Sequence, residues 1–93
     1  MIPDQPPPYA VNWTKPAMKQ LAEIAMPYRQ KLFEACAELA PNPRPGEIKN
    51  WKPLKGGLGY RLRVGDYRAL YTIDDEQRTV TVYEAEHRKN AYQ

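Results

Sequence analysis

The chain has 93 residues, enough for one domain with a single modest core and too few for two. Hydrophobic residues make up 42% and charged residues 27%, a balance that suits a folded protein rather than a disordered one. The formal net charge is only +3, yet between positions 49 and 68 six cations (Lys49, Lys52, Lys55, Arg61, Arg63, Arg68) meet one anion, Asp66, so the surface is locally basic and suits a polyanionic partner.

A single cysteine, Cys36, excludes an internal disulfide, and one cysteine with one histidine offers no zinc constellation, so neither metal nor other cofactor is expected. The opening "MIPDQPPP" has neither the basic start nor the apolar run of a signal peptide. No apolar stretch approaches membrane-spanning length either. These features predict a cytoplasmic protein with no membrane partner.

Residues 1–8 are proline-rich and read as an arm, because consecutive prolines favour extended geometry and supply few amides. Residues 9–93 form the domain. In "YAVNWT" Tyr9, Val11 and Trp13 alternate with Ala10, Asn12 and Thr14, which predicts a half-buried strand. Thr14 is placed to cap a following helix, with Pro16 in the first turn where its missing N–H costs nothing. From Lys15 to Met26, Ala17, Met18, Leu21, Ile24 and Ala25 share one helical face. Pro27 interrupts and starts a second helix with the stripe Leu32, Phe33, Cys36, Leu39 and Ala40. Cys36 lies in that stripe and is expected to be buried and structural. "PNPRPG" ends the helical hairpin, and "EIKNWKPLKGG" reads as a connection without periodicity.

Leu58 to Val64 and Tyr67 to Ile73 flank Gly65-Asp66, a two-residue loop whose leading glycine suits a type II′ hairpin turn. That loop pairs Val64 with Tyr67, Arg63 with Arg68, Leu62 with Ala69, Arg61 with Leu70 and Tyr60 with Tyr71. One face then carries tyrosines and aliphatics, and the other carries Arg61, Arg63 and Arg68. Directly opposed like charges are unfavourable, so the Arg63–Arg68 pair calls for an anion between them. "RTVTVYEAE" supplies a third strand. A four-residue turn from Asp74 to Gln77 would set Val80 and Val82 opposite Tyr71 and Ala69, with Thr79, Thr81 and Tyr83 joining the arginines. On this register Glu84 has core-side parity and no carboxylate reaches the basic face, while Asp74, Asp75 and Glu76 form a solvated turn. His87, Arg88, Lys89 and Tyr92 follow the third strand, at the end of the sheet where Arg63 and Arg68 lie.

Guanidinium forks match phosphate oxygens and stabilise charge that builds on a pentacoordinate phosphorus. RNA carries its own nucleophile, the 2′-hydroxyl, so cleavage without metal needs only a proton acceptor, a proton donor and charge stabilisation. His87 is the one side chain titrating near neutral pH unaided, and Tyr83 and Tyr92 could stack on bases or move a proton.

"VNWTKPAMKQL", "NPRPGEIKNWKPLKG" and "YRLRVGDYRALYTIDDEQRTVTVYEAEHRKNAY" resemble, in that order, the RelE family of type II toxin–antitoxin toxins, within the RelE/ParE superfamily. The resemblance covers about Tyr9 to Tyr92. It implies an α+β fold: an N-terminal strand, an α-helical hairpin and a curved antiparallel sheet (β-α-α-β-β-β) packed on the helices. It implies a metal-independent endoribonuclease that enters the ribosomal A site, cleaves mRNA and inhibits translation, with a cognate antitoxin as partner. Its catalytic residues would be Arg61, Arg63, Arg68, His87, Arg88 and Tyr92. Lys49, Lys52, Lys55, Tyr83 and Lys89 would contact RNA. Where the best-known members carry lysines in the first hairpin strand this chain has Arg61 and Arg63, which stay charged near neutral pH and shift proton transfer towards His87 or Tyr92. Two alternatives share the fold: a ParE-like inhibitor of DNA gyrase without nuclease chemistry, and a catalytically silent homologue that binds RNA or ribosome.

Overall fold

The computed structural model describes residues 7–46 and 50–87. Lys49, Arg88, Lys89 and Tyr92, with most of the proline-rich arm, lie outside the described residues. The elements in chain order are β1 (Ala10–Trp13), α1 (Lys15–Ala22), α2 (Tyr28–Ala37), β2 (Trp51–Pro53), β3 (Tyr60–Val64), β4 (Tyr67–Asp74) and β5 (Thr79–His87). The strands form one sheet in the order β1-β5-β4-β3-β2, with every pairing antiparallel except β1 with β5. The fold is the α+β arrangement expected, with one strand more.

The β1–α1 junction follows local chemistry. Tyr9, Val11 and Trp13 turn to the core. Thr14 is extended, and its Oγ1 accepts the Ala17 N–H at 3.2 Å, satisfying one of the amides that a helix start leaves unpaired. α1 ends at Ala22, earlier than its apolar run suggests, but Ile24 beyond it is still buried. Arg29 Nε donates to the Ile24 carbonyl at 2.9 Å and ties the two helices at their joint. Leu32 and Cys36 are fully buried and Leu39 is nearly so, whereas Met18 and Phe33, placed in the stripes from sequence, are largely exposed. Phe33 instead stacks on Trp13, ring centroids 5.9 Å apart. Burial pushes the Cys36 thiol up to about 12, as befits a packing residue rather than a nucleophile.

β2 was read as connection, since three residues ending in proline show no period. It forms because Trp51 docks. Its Nε1 donates to the Tyr71 hydroxyl, which donates in turn to the Pro43 carbonyl at 2.7 Å, and the rings of Trp51, Tyr60 and Tyr71 stack at 5.6 Å intervals. Pro53 ends this edge strand, where its missing N–H is tolerated.

The β3–β4 register is as expected at all five pairs, Val64 with Tyr67 through Tyr60 with Tyr71. Gly65 takes φ +60° while Asp66 is not left-handed, the pattern of a type II′ turn. The β4–β5 register differs. β4 runs on through Asp74, so the four-residue turn covers 75–78 rather than 74–77, and Val80 and Val82 face Ile73 and Tyr71. A shift of two residues keeps both valines on the core side, so burial alone could not separate the two registers.

The turn itself is not merely solvated. Arg44 donates to both Asp75 carboxylate oxygens, at 3.0 and 2.9 Å, and the Tyr9 hydroxyl donates to the same group at 2.6 Å. Arg44 and Tyr9 hold the Asp75 carboxyl at about 2, below the usual carboxylate range. Arg78, left-handed at φ +51°, lays its guanidinium 4.3 Å over the Tyr9 ring and donates to the Pro7 carbonyl. The β4–β5 turn thereby anchors the end of the arm and the segment after α2.

Gly59 has φ +119°, and a Cβ there would collide with the Tyr71 carbonyl oxygen, whereas one at Gly57, φ +71°, would meet no atom. Gly59→Ala is therefore expected to lose about 2–4 kcal/mol of stability and Gly57→Ala about 1–2 kcal/mol, from conformation alone. Urea denaturation of both variants checks the order; equal losses would show that the close approach does not matter.

Candidate phosphate-binding face

The helices pack against one side of the sheet, α1 on β5 and α2 on β3 and β4. The other side carries the cations in two neighbouring rows set by register. One row runs Lys52, Arg61, Leu70, Glu84 across β2, β3, β4 and β5, and the next runs Arg63, Arg68, Glu86 across β3, β4 and β5.

Two glutamates on this face correct the reading from sequence. A β-bulge on β5 lies opposite the Leu70–Tyr71 step, where Val82 pairs with Tyr71 but Glu84 with Leu70, leaving Tyr83 as the extra residue. Beyond the bulge parity reverses. Ala85, not Glu84, turns to the core and is buried, while Glu84 and Glu86 turn to the arginines. The anion that the Arg63–Arg68 pair calls for is thus supplied from within the chain. Arg68 grips Glu86 through Nη2 at 2.8 Å and Nε at 3.2 Å, both side chains about four-fifths buried.

The other cations are less committed. Arg63 Nε donates to the Gly65 carbonyl at 3.1 Å. Arg61 Nε is buried without a hydrogen-bond partner, a costly state for a guanidinium nitrogen. Lys52 and Lys55 are exposed, Lys55 on a short 3-10 turn before β3. The Tyr83 hydroxyl donates to the Leu58 carbonyl at 2.9 Å, so its ring spans the open face from β5 to the segment preceding β3. Leu70 is 7% exposed and makes an apolar floor between the Arg61 and Glu84 positions. Burial and the neighbouring Glu86 raise the Glu84 carboxyl above its usual range, against the pull of Arg68.

His87 departs from this cluster. It pairs with Tyr67 and meets that ring edge-on at 5.0 Å, and Tyr67 in turn contacts Tyr28 of α2, so the imidazole sits on the helix side of the sheet. Arg61, Arg63, Arg68, Lys52 and Tyr83 are brought together on the open side. Glu84 and Glu86 were missed, although one signal was available: in "VTVYEAEH" the small apolar residue after Val80 and Val82 falls at Ala85, out of phase with both. Among the described residues no group of three His, Cys, Asp or Glu side chains is placed to hold a metal ion, and no helix is long and apolar enough to cross a membrane.

A family model described as the ParE toxin of the type II toxin–antitoxin system parDE matches residues 11–92. The chain belongs to this toxin family. Within the RelE/ParE superfamily its similarities run to RelE toxins. It is 33% identical over 88 residues to toxin RelG of Mycobacterium tuberculosis, covering 91% of this chain and 97% of that one. The crystal structure of the RelBE2 toxin–antitoxin complex of the same organism matches with a TM-score of 0.72 and 31% identity, over 87% of this chain and 99% of the other. The archaeal RelE–RelB complex from Pyrococcus horikoshii matches with a TM-score of 0.74 and 25% identity, over 86% and 94%. This RelE-type toxin therefore carries the expected strand, helical hairpin and sheet, and in it the β5 bulge turns two carboxylates to the cation face.

If Glu86 competes with a phosphate for Arg68, Glu86→Gln should tighten binding of a short single-stranded RNA by about three- to tenfold at fixed salt, a gain of about 1 kcal/mol. Fluorescence anisotropy measures it; unchanged or weaker binding would show that Glu86 does not compete.

Proposed function

We propose that this toxin is a ribosome-dependent mRNA endonuclease, working without metal through the RNA 2′-hydroxyl, and that a cognate antitoxin restrains it in the cytoplasm. The observation that carries the reading is the open sheet face, where Lys52, Arg61, Arg63 and Arg68 occupy adjacent register positions and Arg61 Nε is buried without a partner. A toxin that only docked on another protein would gain little from converging guanidiniums, whereas a scissile phosphate in its pentacoordinate state needs them. Arg61 and Arg63 grip the phosphate, and Arg68, exchanging Glu86 for it, takes up the developing charge. Arg88 adds a further cation. Tyr92 is the proton-transfer group this reading keeps, since His87 lies on the helix side of the sheet. Lys49, Lys52, Lys55 and Lys89 hold flanking phosphates, and Tyr83 offers a ring for a base. The solved RelE–RelB complexes support an antitoxin partner.

The competing reading, gyrase inhibition, draws on the ParE description of the family model. Induction of the toxin in cells followed by mapping of mRNA 5′ ends separates the two. Codon-phased cuts in translated messages are expected, and intact messages with broken DNA would support the gyrase reading. Arg61→Ala and Arg68→Ala should each relieve toxicity while antitoxin binding persists. With about three to five phosphate contacts, log–log salt dependence of RNA binding should have a slope of about −2 to −3.5, and a flat response would count against the cation face.

A further inference from the structure

We propose that Glu84 is the proton acceptor of the cleavage reaction, taking the proton of the RNA 2′-hydroxyl beside the phosphate held by Arg61 and Arg68. The inference rests on the nuclease reading and deepens it by assigning a role to a residue which that reading leaves idle.

The geometry is set by the bulge. Tyr83 is the extra residue, so Glu84 is in register with Leu70, which is in register with Arg61. Two strand spacings separate Glu84 from Arg61, about 10 Å between their Cα atoms. An extended guanidinium and a phosphodiester fit that interval above the nearly buried Leu70 side chain. The 2′-oxygen that attacks belongs to the ribose bonded to the phosphate through its 3′-oxygen, so its proton acceptor has to stand beside the phosphate.

Glu84 also has the right chemical state. It is only partly exposed, and among the described residues no hydrogen bond or ion pair engages its carboxylate, in contrast to Glu86 a turn of the ladder away. The charged and titratable groups around it are Arg68 on β4, Arg61 on β3, Lys52 on β2, and Tyr83 and Glu86 on β5 itself. Burial and Glu86 raise its affinity for a proton while Arg68 opposes them. A carboxylate more basic than usual is a better proton acceptor. Tyr83 beside it is pushed up by burial and by Glu84, and so keeps its own proton. The arginines cannot accept a proton at any working pH.

In the step itself the 2′-oxygen forms a bond to phosphorus as its proton passes to a Glu84 carboxylate oxygen, and the bond from phosphorus to the 5′-oxygen breaks. The leaving 5′-oxygen takes a proton from the donor that the nuclease reading keeps, Tyr92, leaving a 2′,3′-cyclic phosphate and a 5′-hydroxyl. With Glu84 as acceptor, the donor role alone is left to Tyr92.

The test is single-turnover cleavage of ribosome-bound mRNA by the full-length toxin across pH 4 to 9. The active form is the deprotonated carboxylate, so the wild-type rate should rise with unit slope and level off above a midpoint higher than an ordinary glutamate's. Glu84→Gln should lower the plateau by about 10²–10⁴-fold and abolish that acid limb. Glu84→Asp should keep the limb and recover part of the rate. Both variants should bind antitoxin and melt like the wild type. If the wild type cleaves and Glu84→Gln stays within about threefold of it with the acid limb intact, the Glu84 assignment falls and the nuclease reading stands. If the wild type leaves every ribosome-bound message whole, both fall together.

Discussion

One irregularity in one ladder governs the molecule. β4 and β5 are the central antiparallel pair of the sheet, and the extra residue at Tyr83 reverses the parity of β5 halfway along it. Before the bulge, Val80 and Val82 fill the core against Ile73 and Tyr71. After it, Ala85 takes the core side, and Glu84 and Glu86 cross to the face that holds the arginines. A regular strand would turn both glutamates to the helix side, opposite Ala69 and Tyr67, and leave Arg68 opposed to Arg63 with nothing to balance them. The bulge removes both problems with a single inserted residue, as bulges beside functional faces commonly do.

The result is a cation face that is poised rather than saturated. Arg68 has a carboxylate to hold, and Glu86 keeps that guanidinium ordered; in the proposed reaction the two non-bridging oxygens of a phosphodiester compete with Glu86 for the same donors. Arg61 has no such partner for its buried Nε. The two guanidiniums thus differ in state on adjacent rows, one paired internally and one with a buried, unpartnered Nε, while Glu84 stands across Leu70 from the second. The proposed cleavage calls for groups of opposite character, and neighbouring strands of one sheet place cations and a carboxylate on the same face.

A second set of contacts keeps the sheet in shape away from that face. Tyr71 is fully buried yet satisfies its hydroxyl at both ends, with Trp51 as donor and the Pro43 carbonyl as acceptor. Arg44, Asp75, Tyr9, Arg78 and Pro7 continue the network around the β4–β5 turn. It joins four parts of the chain that lie far apart in sequence, and it is what makes a strand of "WKP" and an anchor of a turn that looks like plain solvated loop.

Periodicity alone determined the helical hairpin, the Thr14 cap, the inward residues of β1 and the whole β3–β4 register, because each depends on neighbours a few residues away or on a two-residue turn with one suitable geometry. The cations of the open face were legible for the same reason, since Gly65-Asp66 sets which side every hairpin residue takes. The YRLRVGDYR and EHRKNAY elements carry the resemblance to RelE toxins, so the family too is legible in the sequence. Tertiary structure decided the rest. β2 exists through contacts with Tyr60 and Tyr71 that its own three residues do not announce. The β4–β5 register could slide by two without exposing a valine. Glu84, Glu86 and His87 took their sides from a bulge, which is a property of two paired strands and of neither strand's pattern by itself.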